Sequence, residues 1–138
     1  MGANTDVSRR LNAVGVLVAV YAAGMAGTVV TLGILAAAAP GQATREAWGH
    51  AVIVTVLAFL LLLRLRSARA GSVRAVRALG VVAGVLLVAN AVEASLPGTF
   101  PGWMRVEMAA VALLMAALLG VMWRQRVFGA GAQVPADV

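Results

Sequence analysis

Four side chains able to do chemistry sit at helical spacing on either side of one short turn. Asn90 and Glu93 precede the segment Pro97-Gly98-Thr99-Phe100-Pro101-Gly102, and Arg105 and Glu107 follow it. The chain has five acidic residues in all, so two of them flank this turn. A carboxylate pair beside an amide could hold a cation or a proton. The same groups could also be structural. Glu93 with Arg105 would then close the hairpin as an ion pair, and Asn90 would reach across to a neighbouring helix. The structural use is the stronger expectation, because charge is cheaper near a membrane interface than at its centre.

Two further groups reach the same level. His50 lies four residues after Glu46, and Thr31, with Thr28 deeper, lies on one face of the first apolar segment. A bundle of helices could gather Thr31, His50, Asn90, Glu93, Arg105 and Glu107 into one polar cluster. One histidine and two glutamates would suit a divalent metal in type, but no ligand-spacing motif accompanies them, so no metal is expected. The chain has no cysteine and one histidine, which excludes thiolate chemistry and a bis-histidine haem within one subunit. No phosphate-binding loop, HExxH pair or nucleophile elbow occurs. The expectation is a protein that is not an enzyme and carries no cofactor.

The elements that must position these groups follow from composition. The chain has 138 residues, is 62% hydrophobic and 12% charged, and has a mean hydropathy of +0.96. Soluble domains are about half apolar and about a quarter charged. A soluble fold of this length could not hide so much apolar surface, whereas a bilayer accommodates it. Four apolar segments are read as spans, at 11–38, 47–63, 78–96 and 103–123. The fold class is thus all-α, an integral membrane four-transmembrane-helix bundle. A tail at 1–10 and a disordered tail at 124–138 complete the organisation. The first segment imitates a signal peptide, but its apolar run is too long for one, and a retained helix is expected.

The basic residues set an orientation. All eleven are arginine. Nine fall at one end of the expected bundle (Arg9, Arg10, Arg64, Arg66, Arg69, Arg74, Arg77, Arg124 and Arg126), and Arg45 and Arg105 at the other. The positive-inside bias places both termini in the cytoplasm. Arginine-only basicity with abundant Ala, Gly and Val suggests a GC-rich genome, and the expected location is a cell membrane, as in a bacterial plasma membrane. The net charge of +6 is therefore assigned to a membrane surface and not to nucleic acid. Arg64, Arg66, Arg69, Arg74 and Arg77 are expected to touch anionic lipid headgroups. Gly80 and Gly84 form a GxxxG pair for close helix packing within the subunit.

Length and span number are similar to those of small multidrug transporters. Those carry an acidic residue in the middle of the first helix, where this chain has Tyr21, Thr28 and Thr31, a departure that counts against carrying their function over. The preferred expectation is a structural or accessory subunit that packs with itself or a larger membrane partner. The alternative is a minimal cation- or proton-coupled transporter or channel subunit using the polar cluster.

Overall fold

Four long helices make up nearly all of the chain in the computed structural model, which describes residues 2–131. They are α1 (Gly2–Ala38), α2 (Arg45–Arg69), α3 (Val73–Ser95) and α4 (Gly102–Gly131), with a single 3-10 turn at Pro40–Gln42 between the first two. Each is long and apolar enough to cross a membrane. The shortest has 23 residues, about 35 Å at about 1.5 Å per residue, against a hydrocarbon core of about 30 Å. The helices alternate in direction. Each packs on its chain neighbours, and α4 closes the ring on α1.

The core is written in a 3.5-residue repeat. Among the described residues of α1 the buried side chains are Val14, Val18, Tyr21, Met25, Thr28 and Leu32, spaced alternately by four and three. In α2 the same alternation runs through Ala47, Ala51, Val54, Ala58, Leu61, Leu65 and Ala68. In α4 it runs through Met104, Met108, Val111, Met115, Leu118 and Met122. This is the period of helices that cross at about 20° and interdigitate over their whole length. Among the described residues the buried polar side chains are Thr28 and Asn90, and both belong to the inner faces. Outside it, large apolar residues such as Ile34, Phe59, Val81 and Leu113 are exposed all around the bundle, a surface suited to lipid.

The helices run further than the apolar segments. The stretch 64–77, expected as a basic loop, is helix on both sides of a three-residue turn, Ala70-Gly71-Ser72. Arginine is a good helix former, and the backbone closes the turn locally. Gly71 takes a φ of +90°, its N–H donates to the Ala68 carbonyl, and the Ser72 N–H donates to the Ser67 carbonyl. This is the Schellman end of α2. Ser72 then caps α3 by accepting from the Ala75 N–H at 3.2 Å. Residues 2–10 likewise continue α1, and 124–131 continue α4 where a disordered tail was expected. The latter stretch has no proline, and its first five residues, Arg-Gln-Arg-Val-Phe, oppose no helix. The rest of that expected tail, 132–138, lies outside the described residues, as do the side chains of Arg10 and Arg126.

The glycine pair divides. A methyl group on Gly80 would make ordinary contact with Met122 Cε of α4 at 3.5 Å, so Gly80 does pack within the subunit. One on Gly84 would meet nothing within 4 Å, and the expected packing role does not extend to it.

Candidate functional site: a lateral cavity with a carboxyl group

Each of the four helix seams carries a polar contact that joins its two helices. Between α1 and α2, the buried Tyr21 hydroxyl donates to the Val54 carbonyl at 2.8 Å. Between α2 and α3, His50 Nδ1 lies 2.5 Å from Glu93 Oε2. The two groups are in close contact across the seam, and Glu93 Oε2 makes no regular hydrogen bond. The Phe100 ring meets the His50 ring edge-on, with centroids 5.9 Å apart, and covers it. Between α3 and α4, Arg105 Nε donates to the Ala94 carbonyl at 3.0 Å. Between α1 and α4, Thr28 Oγ1 is hydrogen-bonded to Glu107 Oε1.

This arrangement corrects three expectations. Glu93 does not pair with Arg105. Arg105 is drawn to the last turn of α3, where carbonyls lack helical partners and the helix dipole favours a cation. Glu93 turns the other way, to His50. Asn90 is not an interhelical bridge either. Its Nδ2 donates to the Leu86 carbonyl of its own helix at 2.8 Å, and its buried Oδ1 has no partner. Finally, the polar residues do not share one cavity. His50 and Glu93 meet on the α2–α3 side, while Thr31 and Glu107 belong to α1 and α4. Among the described residues no group of three histidine or carboxylate side chains is gathered as a metal set.

A cavity of about 480 Å³ lies in the α1–α4 seam. Its polar groups are Tyr21, Thr28, Thr31, Trp103 and Glu107; Met25, Val111 and Leu114 supply much of its apolar wall. Two of the lining residues, Gly24 and Ala110, are small and leave room here. A methyl group on Gly24 would meet nothing within 4 Å. Val20, Gly24, Thr31 and Ala110 are exposed along the edge, so the cavity is reached from the side of the bundle. Glu107 is half-buried, five residues into α4, or about 7.5 Å along its axis. Among the described residues it has no basic partner, since the one ion pair is His50–Glu93 and Arg105 is engaged with Ala94. Trp103 presents a buried Nε1–H with no acceptor.

Tyr21, Trp103 and Thr28 were the residues undervalued from sequence. The signal was available for two of them, because 21, 25, 28 and 32 continue the inner-face repeat of α1 and place Tyr21 and Thr28 inside. Trp103 reads from sequence only as an interfacial aromatic.

The five arginines of the opposite end are all exposed. Arg64, Arg74 and Arg77 surround one groove between α2 and α3. Arg69 instead lies back against α1, where a methyl group on Gly15 would collide with its guanidinium. Arg66 lines none of the grooves described. The fold and cavity define a small four-helix membrane-type bundle with a lateral carboxyl-bearing pocket. No family model matches the chain, and no curated protein or solved structure matches it.

Proposed function

We propose that this chain is a multi-pass membrane protein that binds a lipophilic cation in the α1–α4 cavity, exchanging it for a proton on Glu107. This is the cation- or proton-coupled alternative weighed from the sequence. The observation that carries it is Glu107, a half-buried carboxyl group on a mainly apolar cavity with no basic partner among the described residues. The purely structural reading accounts for His50, Glu93 and Arg105, each engaged across a seam. It does not account for a carboxyl group that lines a mainly apolar cavity.

The placement of Glu107 supports the exchange. Thr28 Oγ1 contacts both the Gly24 carbonyl, at 3.0 Å, and Glu107 Oε1, which holds the carboxyl group at the cavity wall. A cation entering the cavity would meet Tyr21 and Trp103, residue types whose rings attract cations, and would exchange with a proton at Glu107. The volume falls within the range of about 300–1,000 Å³ typical of small-molecule sites. Positive-inside bias orients the arginine-rich end to the cytoplasm and the cavity toward the outer leaflet.

Binding of tetraphenylphosphonium to the purified chain in mild detergent tests this reading, with proton release followed in weakly buffered solution. Glutamine mimics a protonated glutamate, so Glu107→Gln should keep the fold while weakening binding by about tenfold or more and abolishing proton release. Glu93→Gln should bind as the wild type does. Equal binding by wild type and Glu107→Gln, or none by the wild type, would return the chain to the structural and accessory reading.

A further inference from the structure

We propose that the groove between α2 and α3 at the arginine-rich end is a specific seat for an anionic phospholipid, built by Arg64, Arg74 and Arg77 and not by the five arginines collectively. The three line a groove of about 410 Å³ whose other walls include Leu60, Val81 and Val82. On α3, positions 74, 77 and 81 share one face, and on α2 positions 60 and 64 share one face. On both helices the charged positions lie toward the helix end and the apolar positions one turn further into the span. The groove is therefore basic at its rim and apolar below, the polarity gradient of a phospholipid with its phosphate at the rim.

A second groove, of about 370 Å³, continues around α3 toward α4. It shares Arg77 and Val81 with the first and ends on Leu119 and Trp123. One headgroup at Arg77 can thus send acyl chains down both sides of Val81. Trp123 is 73% exposed at the level where indole rings favour the lipid interface. Arg66 and Arg69 are separate from this seat, the latter folded onto α1 beside Gly15. The seat does not depend on the Glu107 cavity, which lies in a different seam.

The test is retention of phosphatidylglycerol against phosphatidylcholine by the full chain, extracted from nanodiscs of equal composition and read by native mass spectrometry. Replacing Arg64, Arg74 and Arg77 by glutamine should lower retention of the anionic lipid on the order of a hundredfold, at about tenfold or less per arginine. Replacing Arg9, Arg66 and Arg124 by glutamine removes the same charge from the same end and should leave retention nearly unchanged. Val81→Trp fills both grooves with every arginine in place and should also lose the lipid. The proposal is overturned if the two triple variants lose lipid equally, if the groove triple behaves as the wild type, or if Val81→Trp retains the lipid in full. All these positions are exposed, so melting temperatures should stay close to wild type and confirm that the fold is intact.

Discussion

Glu93 has two candidate partners, and a pair of double-mutant cycles separates them. In the structure its carboxylate is 2.5 Å from His50, while Arg105 is bound to the Ala94 carbonyl. Two full charges about 4 Å apart attract by about 4 kcal/mol at an effective dielectric constant of about 20. Solvent screening reduces that attraction here. The Glu93 side chain is 32% exposed, so water screens it, while that of His50 is only 8% exposed. A pair with one screened member falls near the top of the exposed range, about 1 kcal/mol. The assay is reversible unfolding in mixed micelles of His50→Ala, Glu93→Ala, Arg105→Ala and the two doubles that contain Glu93→Ala. The cycle cancels the separate loss of the His50–Phe100 ring contact. Coupling of about 1 kcal/mol is expected between Glu93 and His50, and within about 0.3–0.5 kcal/mol of zero between Glu93 and Arg105. A larger coupling to Arg105 than to His50 would refute the assignment and restore the ion pair expected from sequence.

Four other substitutions follow from the same geometry. Gly71→Ala forces a β-carbon onto a φ of +90° and should cost about 1 kcal/mol, seen as a lower unfolding midpoint. Gly84→Ala, in a helix with open space beside it, should be neutral or stabilise by up to about 1 kcal/mol; a clear loss of stability or of an oligomer would mean that Gly84 packs against another subunit. Asn90→Leu removes a buried amide oxygen that has no partner and should raise stability by about 1 kcal/mol, and a large loss would show a polar role for this residue. Tyr21→Phe removes the one hydrogen bond that its hydroxyl makes to α2 and should cost about 0.6 kcal/mol, the average for such contacts within membranes, measured by the same unfolding assay.

Element existence was legible in the sequence because length and hydropathy are additive properties. Four apolar runs of sufficient length, separated by Pro-Gly or arginine-rich stretches, need no knowledge of neighbours. The ends were less legible for a physical reason: charge stops a membrane segment but does not stop a helix. Arginine carries α2 on to Arg69, and the stop is supplied by Gly71, whose backbone freedom closes the turn. The partners of polar groups were the least legible. Glu93 and Arg105 are near in sequence across a short turn, yet the turn leaves Arg105 closer to the carbonyl end of α3, and the rotation of α3 points Glu93 at α2.

The rotations of α1 and α4 were nevertheless encoded. The alternation of three and four through Val14, Val18, Tyr21, Met25, Thr28 and Leu32 fixes the inner face of α1, and the corresponding run from Met104 to Met122 fixes that of α4. With both faces known, Thr28 points inward and Thr31 lies at the edge, so Thr28 is the residue able to meet a carboxyl group from α4. Glu107 is adjacent to Met108 in sequence and therefore flanks the inner face without occupying it. A side chain in that position can reach the neighbouring helix while keeping one side free. This is the distinction between the two glutamates: Glu93 is turned to a histidine on the next helix, whereas Glu107 meets only a hydroxyl at the mouth of a cavity. A residue that served only to hold α1 to α4 would not require the gap that Gly24 and Ala110 leave beside it. Closing that gap with Gly24→Leu should strengthen the α1–α4 seam and still abolish cation binding, a combination that a purely structural Glu107 does not produce.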